Sequence, residues 1–253
     1  MSGIETKFGS AEPAYSAYRP GYPESLFERI ISEIFPPYRR VLDVGSGTGL
    51  SALPLTKWFE EVVAVEPDQN MAAKLHGVST KLSVRQCRAE DIEEDYDSFD
   101  LVTSGNAFYW TDGELIVEKA ANFLRHRGVF AVYRYGFPQL PPTFQEIIQE
   151  HLMSFWNQFR HPRLIDEGYS VRTIQASPRF EVVQVDAIPN IVPLKPKQIV
   201  GFFSSTSYCS AYLRTLSHPD NYLSDFEALL HAYSNDVPIL VDFSLELIIA
   251  KRR

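Results

Sequence analysis

The stretch Val41–Gly49, VLDVGSGTG, constrains this chain more than any other. An apolar run holding one acid, Asp43, passes directly into glycines at every second position, Gly45, Gly47 and Gly49. Such a sequence reads as a buried strand followed by a tight turn. Glycine lets the backbone bend there and lets a ligand approach it closely. A nucleotide-like molecule is therefore expected at the end of this strand.

The rest of the chain alternates strand-like and helix-like segments, without repeats. Pro23 opens a helix whose Leu26, Ile30, Ile31 and Ile34 share one face. Strands are predicted at 41–44, 62–66, 82–87, 99–104 and 128–134, with helices at about 48–58, 68–75 and 113–124. Two late strands follow, at 180–186 and 241–250. Alternation of this kind predicts an α/β fold with a doubly wound, Rossmann-like sheet. One domain over 1–253 is expected, with an N-terminal arm (1–22) and aromatic-rich helical insertions at 138–178 and 190–235 acting as a lid over the acceptor.

Composition excludes several classes of function. A net charge of −8 argues against a nucleic-acid binder, which normally carries a basic face. Cys87 and Cys209 lie far apart, and the six histidines show no metal spacing, so neither a disulfide framework nor a metal site is expected. No apolar run reaches the length of a membrane span, and no signal pattern opens the chain. A reducing cytoplasm is the expected setting, with a homodimer as a candidate assembly.

The turn also bears on the ligand. A dinucleotide fingerprint is GxGxxG, whereas here the glycines run GxGxG with Asp43 just before them. A carboxylate there repels a pyrophosphate and suits a cationic ligand such as S-adenosylmethionine. Glu66 ends the second strand, 23 residues after Asp43, where an acid accepts both ribose hydroxyls. That need is common to nicotinamide and S-adenosylmethionine cofactors. In Ala89-Glu90-Asp91, after the third strand, either carboxylate could accept from an adenine amino group.

VLDVGSGTG, VVAVEPDQNM, CRAED and FDLVTSGNAFYW, in this order, resemble class I S-adenosylmethionine-dependent methyltransferases over roughly residues 40–134. AYSAYRPGYPESLF (14–27) and FDLVTSGNAFYWTD (99–112) are similar to the trans-aconitate and ubiquinone-biosynthesis types that act on small molecules. Tyr15, Arg19, Pro20, Tyr22 and Pro23 keep the arm of that type, while Tyr109 stands where histidine is usual. The resemblance implies seven strands, mostly parallel, with the last antiparallel. It also implies S-adenosyl-L-methionine as cofactor. Gly45, Ser46 and Gly47 would lie against its methionine part, and Asp43 would support the loop or the ammonium. Glu66 would hold the ribose, Pro67 and Met71 would flank the adenine, and Ala89 and Glu90 would read its edge. Ser104 and Asn106 would pass under the sulfonium, and Tyr15, Tyr18 and Arg19 would close over the cofactor, with Arg19 near its carboxylate. Phe108, Trp110, Tyr133 and Trp156 would line the acceptor pocket, with Tyr109 as the catalytic candidate.

Plainer readings stand beside these. The arm residues can simply pin the chain to its core, Tyr109 and Trp110 can be packing, and aromatics at helical spacing are more often core than pocket. The expected activity is methyl transfer to a small organic acceptor, at a carboxylate or hydroxyl oxygen rather than nitrogen or carbon. SGNAFYW lacks the Asn/Asp-Pro-Pro-aromatic form of nucleic-acid amino methylases. The alternative is a relative that binds the cofactor without methylating. Calorimetry is expected to show S-adenosylmethionine and S-adenosylhomocysteine binding with micromolar dissociation constants, about −8 kcal/mol. Absence of heat with the folded protein would overturn the cofactor assignment.

Overall fold

A computed structural model of the protein describes residues 16–235 and 237–253, so Tyr15 lies outside the described residues. Its main sheet contains β1 (Arg40–Val44), β2 (Glu61–Val65), β3 (Leu82–Arg85), β4 (Phe99–Gly105), β5 (Leu124–Tyr135) and β6 (Phe180–Ile188). A short ribbon pairs β7 (Ile191–Leu194) with β8 (Ile239–Asp242), and β9 (Leu245–Arg252) returns to the main sheet. The seven-stranded order is β3-β2-β1-β4-β5-β9-β6. β1 through β5 pair in parallel, while β9 runs antiparallel to β5 and β6. The seven strands and the antiparallel last one match the sequence expectation.

Strand order reverses between β1 and β4, so their carboxyl ends form the switch point at which open α/β sheets receive ligands. Gly45 follows the end of β1, and Gly105 ends β4. Both sheet faces are covered, which explains why the central strands read as continuous apolar runs instead of alternating. Val44, Val102, Phe130, Val132 and Ile248 face Ile116, Ala120 and Ile174 on one side. Val41, Leu101, Ala131, Leu247 and Ile249 face Leu26, Phe27, Ile30 and Leu55 on the other.

The chain groups into two compact units. The sheet unit comprises 21–136, 166–188 and 245–253. Among the described residues, the helical unit takes 16–20 with 137–165 and 189–244. In the helical unit, Trp156 is fully buried, stacks on Phe203 at 5.1 Å and donates Nε1–H to the Tyr222 hydroxyl at 3.1 Å. Arg19 donates to Ser205 Oγ at 2.9 Å and to its carbonyl at 3.1 Å, with the guanidinium 5.0 Å from the Phe202 ring centre. Tyr18 covers Gly201 so closely that a Cβ there would lie 2.4 Å from its ring. Among the described residues, no helix is long and apolar enough to cross a membrane.

Three expectations change in detail. The run 241–250 is not one strand: Ser244 donates its amide to Asp242 Oδ1 at 2.7 Å, and this aspartate turn ends β8 before β9 begins. The helix expected over 48–58 contracts to Ala52–Leu55, since Gly49 holds φ +96° and the chain is still turning. The helix Tyr169–Gln175, placed by sequence in the first insertion, packs in the sheet unit, with Tyr169 6.0 Å from Phe108. Ile249 is fully buried in the strand that joins β5 to β6, so Ile249→Ala should cost roughly 2–5 kcal/mol of stability. Urea denaturation measures it, and a loss below about 1 kcal/mol would show that β9 is not part of the cooperative core.

Candidate active site

The switch point is organised around Asp43. β1 delivers this carboxylate, fully buried, beside Thr103 of β4, its partner in the ladder. Asp43 Oδ1 accepts from Ser51 Oγ and from Thr103 Oγ1, each at 2.7 Å. Since Ser51 donates to Asp43, the Tyr133 hydroxyl in close contact with Ser51 Oγ is the donor there. Asp43 Oδ2 is buried and has no hydrogen-bond partner. Burial drives the Asp43 carboxyl above the ordinary carboxylate range, against the opposing pull of the Ser51, Thr103 and Ser46 hydrogen bonds.

The turn after β1 is tied to β2. The amides of Gly45 and Ser46 both donate to the Val65 carbonyl, at 2.9 and 3.0 Å, and Ser46 Oγ donates to the Asp43 carbonyl at 2.9 Å. Gly45 holds φ +73°, and a Cβ there would lie 2.4 Å from the Cβ of Ala107, so glycine is required twice over. Glu66 follows β2 and is 7% exposed. Its Oε2 accepts the Gly47 amide at 2.8 Å, and its Oε1 the Asp68 amide at 2.9 Å. Burial raises its pKa, opposed by those two amides. Each oxygen keeps a second lone pair.

The other expected residues fall into place around this frame. Met71 is buried at the start of the helix Gln69–Ala73, and Pro67 is exposed. Ala89 is buried, while Glu90 accepts the Asp112 amide at 2.9 Å and Asp91 is exposed. Ser104 donates to the Val44 carbonyl at 3.1 Å, a bond that ties β4 to β1. Asn106 takes a left-handed conformation (φ 53°), donates its amide to the Tyr133 carbonyl at 2.8 Å and its side chain to the Tyr22 hydroxyl at 3.0 Å. Asp43, the glycine turn, Glu66, Ser104 and Asn106 are thus brought to one edge of the sheet.

The acceptor-side residues are more dispersed. Tyr133 is buried with its hydroxyl in the Asp43 network, and Phe108 sits in the interior 5.9 Å from Phe130. Tyr109 is 8% exposed, 5.4 Å from Trp110, and has the Arg134 guanidinium 5.5 Å from its ring centre. Tyr18, Arg19 and Trp156 belong to the helical unit. Sequence reasoning missed Ser51 and Thr103; the available signal was the polar pair Thr103-Ser104 at the carboxyl end of a strand buried along its length.

Comparison with known proteins decides the class. Residues 42–132 match the methyltransferase domain family. A Dictyostelium discoideum protein named as a methyltransferase is 26% identical over 261 residues, covering 98% of this chain and 96% of its own. CRG1 of Saccharomyces cerevisiae, named as an S-adenosylmethionine-dependent methyltransferase, is 22% identical over 289 residues, covering 100% of this chain and 98% of its own. These matches support a class I S-adenosylmethionine-dependent methyltransferase. The fold agrees: a solved structure from Anaeromyxobacter dehalogenans, described as a type II methyltransferase, superposes with a TM-score of 0.76 at 21% identity, covering 93% of this chain and 98% of that one.

The residues of this methyltransferase fit its cofactor. The unsatisfied Asp43 Oδ2 offers a buried acceptor to a cationic group, and Gly45 leaves no room for a side chain beside the turn. Burial penalises the charged form of Asp43, so folding raises its pKa. Stability contributed by neutral Asp43 is present below the unfolded pKa and declines as pH rises towards the folded one. Asp43→Asn, which keeps the acceptor for Ser51 and Thr103 and removes the buried charge, should leave the free methyltransferase as stable or raise its stability by about 1–2 kcal/mol, while S-adenosylmethionine affinity falls. Thermal unfolding and calorimetry on one preparation measure both. A variant that loses stability and keeps its affinity would refute the assignment of Oδ2.

Proposed function

We propose that this enzyme transfers a methyl group to an oxygen, carboxylate or hydroxyl, of a small organic acceptor. The observation that carries the reading is the convergence of two buried carboxylates, Asp43 and Glu66, on the glycine turn at the switch point of the sheet. Glu66 accepts the ribose hydroxyls through its remaining lone pairs, and Asp43 Oδ2 takes the ammonium. Gly45, Ser46 and Gly47 line the methionine part, and Pro67, Met71, Ala89 and Glu90 the adenine. Ser104 and Asn106 lie beneath the reacting centre.

Bound, the donor supplies a sulfonium methyl, transferred in line. The bond to sulfur breaks with its electron pair left on sulfur, and an acceptor oxygen lone pair makes the new bond. The protein's task is alignment and exclusion of water, so proximity carries much of the acceleration. A carboxylate acceptor gives up no proton. For a hydroxyl acceptor, Tyr109 is the proposed group to assist proton removal. The acidic chain and its two unpaired cysteines suit a cytoplasmic enzyme of small molecules.

Incubation with methyl-tritiated S-adenosylmethionine and a panel of organic acids, phenols and amines tests the reading. Label entering the acids or phenols is expected, and transfer to amines alone would replace it. In the same assay Glu66→Ala should lose roughly 2–4 kcal/mol of cofactor affinity, from two hydrogen bonds to a charged group partly replaced by water. Unchanged affinity would move the ribose contact elsewhere.

A further inference from the structure

β5 and β9 pair so that Phe130 faces Ala250, Val132 faces Ile248 and Arg134 faces Glu246. Alternation puts all six side chains on one face of the sheet. The first two pairs belong to the apolar core, and the third, at the carboxyl end of β5, is charged. Arg134 is 7% exposed, its Nη1 is buried without a hydrogen-bond partner, and its guanidinium lies 5.5 Å from the ring centre of Tyr109. Glu246 is half-buried, and its Oε1 is likewise buried without a partner. Across the ladder on its other side stands the small, exposed Ala187.

Continuing the apolar face with a valine or leucine would be the inexpensive choice. A buried charge without full hydrogen bonding is costly, and here a cation and an anion stand opposite each other with an unsatisfied atom on each. The Glu246 carboxyl is pushed up by burial first, is drawn back by Arg134 and is pushed up again by Glu167. An unmet donor and an unmet acceptor on paired positions of the ladder match a ligand that presents an anionic acceptor oxygen next to a hydrogen-bond donor. The place also fits the reaction. The Tyr133 carbonyl, one residue before Arg134, accepts the amide of Asn106, and Asn106 leads three residues later into Tyr109.

We infer that Arg134 and Glu246 are the specificity-determining pair for the methyl acceptor, Arg134 anchoring a carboxylate and Glu246 accepting a hydrogen bond from an adjacent hydroxyl or amino group. The inference rests on the methyl-transfer reading above and narrows its acceptor to a carboxylic acid substituted next to the carboxylate. It assigns anchoring and leaves the reacting oxygen to the donor geometry.

The test uses the full-length enzyme saturated with S-adenosylhomocysteine and four sets of probes: 2-hydroxy acids, the corresponding amino acids, the unsubstituted acids and the neutral amides of the hydroxy acids. Calorimetry should rank the hydroxy or amino acids at least tenfold above the amides and several-fold above the unsubstituted acids, and the first two sets identify the donor that faces Glu246. Arg134→Gln should bring the acid-to-amide ratio within about twofold, and Glu246→Gln should remove the advantage of the substituted acids while keeping that ratio. Both variants should retain the wild-type affinity for S-adenosylhomocysteine, which also reports that they are folded. Arg134→Lys serves should the glutamine variant fail to fold, and is expected to keep part of the acid preference. An acid preference untouched in Arg134→Gln, or wild-type enzyme with S-adenosylhomocysteine bound and no acid preference, would overturn the pair. Failure of S-adenosylhomocysteine to bind at all would instead remove the methyl-transfer reading on which the pair depends.

Discussion

A carboxylate with no access to water holds the switch point of this sheet together. Asp43 gathers Ser51 from the turn, Thr103 from β4 and, through Ser51, Tyr133 from β5. Three separate stretches of chain are thereby fixed in register at the point where the sheet reverses its order. A buried acid in such a place is expensive, and the expense is only partly offset by neutral hydroxyls, which are weaker partners than a cation. The second oxygen remains unmatched, a cost that a cationic ligand bound there would relieve. Stability and cofactor affinity are then opposed at one atom.

Glu66 works in the contrasting way. Its two amide partners come from the turn it faces and from the start of the next helix, so the same carboxylate that would receive a ribose also shapes the loops on either side of it. Preorganisation of this kind lowers the ordering required on binding. It also explains why the turn tolerates three glycines without collapsing: the amides of Gly45, Ser46 and Gly47 are each held, two by the Val65 carbonyl and one by Glu66.

Much of the architecture was legible because the central strands are short, apolar and bounded by acids or glycines, and the alternation with helices leaves few topologies open. Asp43 and Glu66 stood out too, the first as the one acid inside an apolar run and the second as the acid that closes one. What escaped the sequence were contacts made by common side chains at a distance. Ser51 and Thr103 are ordinary hydroxyl residues until the β1–β4 register places them on one carboxylate. Arg134 read as the end of a strand because its opposite number, Glu246, arrives more than a hundred residues later and in a strand of reversed direction. The run 241–250 looked continuous because an aspartate turn with a buried phenylalanine in it, Phe243, keeps the apolar pattern unbroken.

The position of β9 carries a consequence for how the polypeptide is made. In chain order it follows every other strand among the described residues, yet in the sheet it lies between β5 and β6, and among those residues β6 has no other neighbour. As synthesis proceeds from the amino end, β1 to β5 can assemble while the free edge of β5 stays unpaired and β6 emerges with nothing to join. Only when residues 245–252 have left the ribosome can the two be bridged. The nascent protein therefore carries an open, aggregation-prone edge through the synthesis of its entire helical unit after residue 137, and this is the interval in which a chaperone or a slowed ribosome has most to protect.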